Sequence, residues 1–259
     1  MSEQVFLERD GAIATVVLNQ PERFNAMNKG MFQGLTRVFK ECDTDLNLRC
    51  VIIRGEGGKA FSAGADISEF ETDRSSSAMA RAYAVHFHAG ANAVGNCIHP
   101  VIAQIDGACI GGGLAVATLC DYRICGQSSR FGVPVKRLGL VEAHAEMAPL
   151  VHKFGANIAL EILLLGDVFG VQDAMRMGLI NRVVDDSDVG AEARLTAEKI
   201  AEGAPLSARS HKKFIYRLLD PTPLTDAEID EGFDCYDTEN FQAGYKAFLE
   251  KTSPTFEGR

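Results

Sequence analysis

The sequence predicts an α/β protein, a repeated strand–helix core running into a mostly helical C-terminal part. Three observations carry that expectation. Cys50–Gly55 and Val101–Ile105 are short, nearly continuous apolar runs, the pattern of strands buried on both faces. Met31, Leu35, Val38, Phe39 and Cys42 recur at helical spacing ahead of the first of them. Beyond Gly155 the helical period dominates, and only 178–184 still reads as a strand.

Val5 to Arg9, the turn signal Asp10-Gly11 and Ile13 to Leu18 give the pattern of a β-hairpin. Asn28 can cap the helix that carries the Met31–Cys42 stripe. The strand Cys50–Gly55 follows, which sets a β-α-β order. Polar residues from Glu69 to Ser77, rich in serine and charge, predict a mobile surface segment before a helix running through Ala91. Val101–Ile105 ends at a second turn signal, Asp106-Gly107, and Tyr122 to Cys125 supplies another strand. Helices are expected over 158–165, 172–177, 191–202, 206–219, 226–236 and 241–249. No stretch rich in Gly, Ser or Pro separates the two parts, so one continuous unit is expected.

Composition narrows the class. A chain of 259 residues with 46% apolar residues can bury a substantial core, as one large domain or two small ones. Its net charge of −9 disfavours nucleic acid and anionic membrane surfaces as partners. Met1-Ser2-Glu3-Gln4 lacks the basic and apolar regions of a signal peptide, and no charge-free apolar run is long enough to span a bilayer. The seven cysteines contain no Cys-x-x-Cys pair, so buried thiols in a reducing compartment are expected, with neither a disulfide frame nor a metal site. A soluble cytoplasmic protein is the expectation.

The chain is organised around Ala108-Cys109-Ile110-Gly111-Gly112-Gly113-Leu114-Ala115-Val116-Ala117, where a strand reading gives way to a buried helix. Three glycines at such a junction expose bare backbone. The free N–H groups of the first helical turn point outward at the positive end of the helix dipole. That geometry suits a phosphate or a developing oxyanion; the alternative is a tight turn where a helix packs closely on a sheet. No phosphate-loop Lys-Ser/Thr pair follows, and no Gly-x-Gly-x-x-Gly is formed. A second donor-rich bend follows the Cys50 strand, in Lys59-Ala60-Phe61-Ser62-Ala63-Gly64-Ala65-Asp66-Ile67.

These two bends, with Leu18-Asn19-Gln20-Pro21-Glu22-Arg23-Phe24-Asn25-Ala26-Met27 and Ala247-Phe248-Leu249-Glu250-Lys251, resemble the crotonase superfamily of enoyl-CoA hydratases and isomerases. The resemblance covers essentially the whole chain. It implies a spiral of β-β-α units over 1–190. It also implies a C-terminal helical region, 191–259, for trimer contacts and for capping coenzyme A, with trimers stacking into hexamers. The substrate is implied to be an acyl-CoA, coenzyme A entering as part of it and no separate cofactor being needed. Ala65 and Gly112 would donate backbone N–H groups to the thioester oxygen. Arg23 and Phe24 would lie beside the coenzyme, with Phe248 and Lys251 at its adenine end. Ala63, Asp66, Ile67, His88 and Val135 would line the remaining substrate site.

The acid/base residues depart from the pattern. Hydratases of the family carry glutamates at the positions of Ala115 and Val135, and neither side chain here can move a proton. The nearest carboxyl is Glu142, in register with one acid of related enzymes and adjacent to another, at Ala143. Its neighbours Leu140, Val141 and Ala143 predict a desolvated, proton-holding group. His144 and Glu146 are expected in solvated or structural roles. His88 sits where related dehalogenases place a base, but their nucleophile position holds Ala143. The expectation is an isomerase-type proton transfer by Glu142. Acyl-CoA decarboxylation or hydrolysis is one alternative, and non-catalytic acyl-CoA binding is another.

Overall fold

The computed structural model describes residues 3–258, so Met1 and Ser2 of the opening tetrapeptide lie outside the described residues. Strands β1 (Val5–Asp10) and β2 (Ile13–Leu18) form the expected hairpin, Asp10 opposite Ile13. Helix α1 (Lys29–Thr44) carries the chain over to β3 (Cys50–Gly55), which lies parallel to β2. Asn28 caps α1 as expected, its side chain accepting the Met31 N–H at 2.9 Å.

From β3 onward one unit repeats: a strand enters a large sheet, the next enters a small sheet, and helix returns. β3 and β4 (Ala60–Ser62) lead to α2 (Phe70–Asp73) and α3 (Ser77–Gly95). β5 (Val101–Ile105) and β6 (Ala108–Ile110) lead to α4 (Gly112–Leu119). β7 (Tyr122–Gly126) and β8 (Arg130–Gly132) lead to α5 (His144–Leu165) and α6 (Val171–Arg176). With β9 (Arg182–Val184) the large sheet has six strands, ordered β1-β2-β3-β5-β7-β9, and the small one three, β4-β6-β8. Among the described residues, every pairing between named strands after the hairpin is parallel. This is the spiral of β-β-α units. Helices α7 (Val189–Ala201), α8 (Pro205–Arg217), α9 (Asp226–Asp230) and α10 (Glu239–Glu250) complete the chain.

The large sheet is covered on both faces, which is why its strands read as unbroken apolar runs. Side chains alternate across a strand, so β3 sends Val51 and Ile53 to one core and Cys50 and Ile52 to the other. The first core holds Phe32, Leu35 and Phe39 of α1, with Val94 of α3 and Leu114 of α4. The second is closed by Val189, Ala193 and Ala197 of α7 against Ile13, Ile102 and Ile124. Each fully buried side chain of this size contributes about 1.5–3 kcal/mol of transfer free energy.

Several local expectations need correction. The helix expected from Ile158 begins at His144 and breaks at Gly155 (φ 83°), with Pro149 inside it; both residues disrupt the helical pattern in the sequence. Though α5 is 22 residues long and apolar, the break leaves two arms, each too short to cross a hydrocarbon layer about 30 Å thick. Only Arg182–Val184 of 178–184 pairs as a strand, because Gly178 (φ 71°) turns the chain first. The polar stretch before α3 is anchored at Glu69, whose carboxylate accepts the Lys29 N–H at 3.1 Å and the Tyr83 hydroxyl at 2.8 Å. Six of the seven cysteines are buried, but Cys235 is exposed. Burial pushes the Cys42 and Cys50 thiols up to about 12.

Candidate active site

The two donor-rich bends leave the ends of β4 and β6, which are adjacent parallel strands of the small sheet. At the first bend Met27 forms a parallel bridge with Ala65. The Met27 N–H donates to the Gly64 carbonyl at 2.6 Å, and the Asp66 N–H donates to the Met27 carbonyl at 2.9 Å. In such a bridge the middle residue's own amide faces the opposite way. The Ala65 N–H is therefore turned away from Met27.

At the second bend each glycine has a separate duty. Gly111 (φ 51°, ψ −120°) makes the turn from β6 in a conformation that side-chain-bearing residues avoid. Gly113 lets α4 lie on β4, since a Cβ there would sit 2.6 Å from the Ser62 carbonyl oxygen. Gly112 opens α4, so its N–H has no acceptor within the helix. A Cβ on Gly112 would lie 3.6 Å from the Ala65 nitrogen, and one on Gly64 would lie 3.5 Å from the Gly112 nitrogen. The two bends thus bring both amides to one place. The close-packing reading of the glycine run holds at Gly113.

Beyond the first turn of α4 lies a small cavity of about 20 Å³, room for about one water. Gly111, Ala115, Val133, Met147, Glu142 and Glu146 are among its walls. Glu142 stands in the loop before α5, reached through the left-handed Gly139 (φ 68°). Glu146 is the third residue of α5, and its carboxylate accepts the Ala143 N–H at 2.8 Å, half of a capping box. Ala143 has no side-chain oxygen for the other half.

Burial pushes the Glu142 carboxyl up to about 8, and its hydrogen bond with Glu146 and that residue's charge add to the rise; Arg74 opposes it. Arg74 itself rests on the rings of Phe70 and Tyr83, 4.4 and 4.8 Å from their centroids. For Glu146 burial acts upward too, but the bond to Glu142, the Ala143 N–H and the nearby His88 outweigh it and hold the group below its ordinary value. Two adjacent carboxyls do not both ionise readily, so the pair holds one proton near neutrality, on Glu142. This pair of carboxyls shares its cavity with Gly111, the turn residue that precedes the Gly112 amide.

A family model described as enoyl-CoA hydratase/isomerase matches residues 8–259. The chain belongs to the enoyl-CoA hydratase/isomerase family. A probable enoyl-CoA hydratase of Mycobacterium bovis is 31% identical over 260 residues, covering 99% of both chains. The short-chain-enoyl-CoA hydratase of Clostridium acetobutylicum is 30% identical, with 95% of each covered. Among solved structures, an enoyl-CoA hydratase/carnithine racemase from Magnetospirillum magneticum superposes with a TM-score of 0.98 at 44% identity, covering 100% of this chain and 97% of that one. This family member therefore shares the crotonase fold of acyl-CoA enzymes.

Several expected site residues stand apart from the cavity. Val133 lines it, whereas Val135, in the turn 134–138, packs against the main core. Arg23 is half-exposed and pairs with buried Asp66, with Ser68 Oγ at 3.2 Å, so its charge is already partnered. Phe24 (φ 52°) is half-exposed beside it, its carbonyl accepting the Ala63 N–H at 2.9 Å. Ala63 and Ile67 are exposed at the rim of the first bend. Phe248 is 84% exposed on α10, and Lys251 caps that helix in a left-handed conformation; both belong to the outer surface.

Glu146 is the residue whose place sequence reasoning read only in part. The structural role expected of it is present in its capping of α5, but it also lines the cavity beside Glu142; His144 is exposed, as expected. The i, i+4 spacing of Glu142 and Glu146 was the available signal. It misleads on the cause, because Glu142 precedes the helix.

Proposed function

We propose that this protein is an enoyl-CoA isomerase-type enzyme, in which an acyl-CoA thioester enolises and Glu142 moves a proton along the acyl chain. The observation that supports it is the placement of Glu142, a carboxyl of raised proton affinity, in a cavity walled by the turn that presents the Gly112 amide. The thioester oxygen takes hydrogen bonds from the Ala65 and Gly112 N–H groups, which strengthen as negative charge collects there. Ionised Glu142 removes a proton next to the carbonyl, giving a dienolate when the double bond lies one position further out. The same carboxylic acid then returns the proton to the far carbon, and the double bond comes into conjugation. One proton carrier serves both steps, so glutamates at positions 115 and 135 are not needed. Coenzyme A enters with the substrate and no separate cofactor takes part. The Arg23–Asp66 and Phe24 surface, together with Phe248 and Lys251, is proposed to hold it. Exposed Phe233, Tyr236, Phe248 and Leu249 supply apolar area for a homotrimer built through the C-terminal helices.

A second reading, hydration of 2-enoyl-CoA, is favoured by one observation, the opposite displacement of Glu142 and Glu146. Glu146 would activate a water and Glu142 would protonate carbon. Parallel turnover assays on short 3-enoyl- and 2-enoyl-CoA decide between them. Interconversion of the double-bond isomers with little 3-hydroxyacyl-CoA supports the isomerase, and it should be lost in Glu142→Gln. Dominant hydration, or isomerisation surviving that change, refutes it. Tight acyl-CoA binding without turnover would mark a holding protein, and carbon dioxide or free acid a decarboxylase or hydrolase.

A further inference from the structure

Behind the carboxyl pair lies a third titratable group. His88, on α3, brings its Nε2 to 3.5 Å from Glu146 Oε1. That nitrogen is buried and makes no hydrogen bond among the described residues, being just beyond good geometry toward the carboxylate. Its ring is held edge-on to Phe87, whose own ring packs 4.8 Å from that of Phe32 in the main core. Glu146 is fixed from a second side, since its other oxygen accepts the Ala143 N–H. His88, Glu146 and Glu142 therefore form a line from the interior edge of α3 to the cavity. Arg74 is the remaining charge acting on the pair, from the segment between α2 and α3. The other cavity walls, Gly111, Leu114, Ala115, Thr118, Val133, Met147, Leu150 and Leu163, carry no charge.

We infer that His88 and Glu146 are positioning residues for Glu142. His88 aims the Glu146 carboxylate and favours its ionised form. Glu146 in turn accepts a hydrogen bond from the Glu142 acid, keeping the proton on Glu142 and fixing which of its oxygens faces the cavity. The arrangement replaces two separately mounted carboxyls by one pair on a single loop and helix start, steadied from α3. A buried imidazole nitrogen without a partner is costly unless a group beside it can receive its hydrogen bond, and Glu146 is that group.

The inference rests on Glu142 being the proton carrier, so its test includes a readout that needs no turnover. Protein labelled with carboxyl-13C glutamate is titrated by NMR as wild type, Glu142→Gln, Glu146→Gln and His88→Gln. The wild type should show one carboxyl titrating far above the ordinary range, absent in Glu142→Gln. In Glu146→Gln that titration should fall by about one pH unit or more, as a neighbouring negative charge is removed. In His88→Gln the Glu146 resonance should titrate at higher pH than in wild type. Glutamine at 146 keeps an acceptor for the Ala143 N–H, so the helix start survives, and thermal melting checks it. Compared above about pH 9, where Glu142 is ionised in every variant and only its positioning differs, turnover of both variants should fall about tenfold or more in kcat with KM little changed, part of the 10²–10⁴-fold that a placed acid/base group supplies. Unmoved carboxyl titrations in both variants would overturn the inference, as would an unmoved kcat. If the titrations shift as expected while Glu142→Gln keeps full turnover, the reaction assignment fails instead, and with it the roles of His88 and Glu146.

Discussion

Gly112→Ala separates the chemistry of the glycine turn from its packing. The new methyl would sit 3.4 Å from Met27 Cε, 3.6 Å from the Ala65 nitrogen and 3.8 Å from the Gly64 carbonyl carbon. All are ordinary contact distances, and Gly112, unlike Gly111, is not in a left-handed conformation. The fold should therefore accept alanine. Stability should stay level or rise by at most about 1 kcal/mol, since alanine is the better helix former. Activity should move the other way. An oxygen bound to the Ala65 amide needs a position about 2.9 Å from that nitrogen, and the methyl crowds the same space. Disabling one such donor costs roughly 2.7–4 kcal/mol, or 10²–10³-fold in rate. The cleanest assay is exchange of the protons beside the carbonyl of butyryl-CoA into deuterated water, followed by NMR, because it requires only enolisation. Exchange within about threefold of wild type, in a variant that melts no lower, would refute the paired-amide site, since the expected loss is at least 10²-fold.

Other outcomes follow from neighbouring features. Gly113→Ala should show the reverse behaviour, losing about 1–3 kcal/mol in a denaturant melt, because its Cβ would press to 2.6 Å on the Ser62 carbonyl oxygen. An acyl-CoA thioether, which lacks the carbonyl oxygen, should bind more weakly than the thioester by roughly 1–3 kcal/mol in calorimetry; equal affinity would contradict the donor assignment. The direction of the pH profile distinguishes the two reactions. With Glu142 as the initiating base, kcat/KM should rise through about pH 8, where that carboxyl loses its proton, whereas with Glu142 as the acid of hydration it should fall there. Sedimentation equilibrium should return three chains per particle or a multiple of three, and a monomer at micromolar concentration would rule out the proposed assembly.

Much of the fold was legible because both sheet faces are buried. Alternating burial wrote Cys50–Gly55 and Val101–Ile105 as solid apolar runs, and the α1 stripe left a clean helical period. The paired bends were readable as small residues after strands. What failed did so where local pattern and tertiary setting part. Pro149 and Gly155 hid the start of α5, which packs on α4. The site was half legible. Glu142 was picked for the wrong reason, since Leu140, Val141 and Ala143 are exposed and its burial comes from distant residues such as Ala115, Val133 and Leu150, which no local window contains. Arg23 looked free for a phosphate, and only the fold brings Asp66 back against it. Val135 was expected to line the pocket in place of a lost glutamate. The turn 134–138 leaves it partly buried against the edge of the main core, outside the lining of the small cavity.

The adjacency of β4 and β6 has a consequence for how this scaffold can change. Neighbouring strands are held about 4.8 Å apart by their ladder, and the two amide donors leave the ends of that ladder. Their separation is thus gauged by main-chain spacing, and no side-chain substitution outside the bends resets it. Proton-moving groups, by contrast, arrive from a helix face, a turn and a loop, each free to gain or lose a carboxyl. On the proposed mechanism, substitutions that add or remove a carboxyl at positions such as 115, 135 or 142 would change the proton chemistry while leaving the spacing of the two bends as it is.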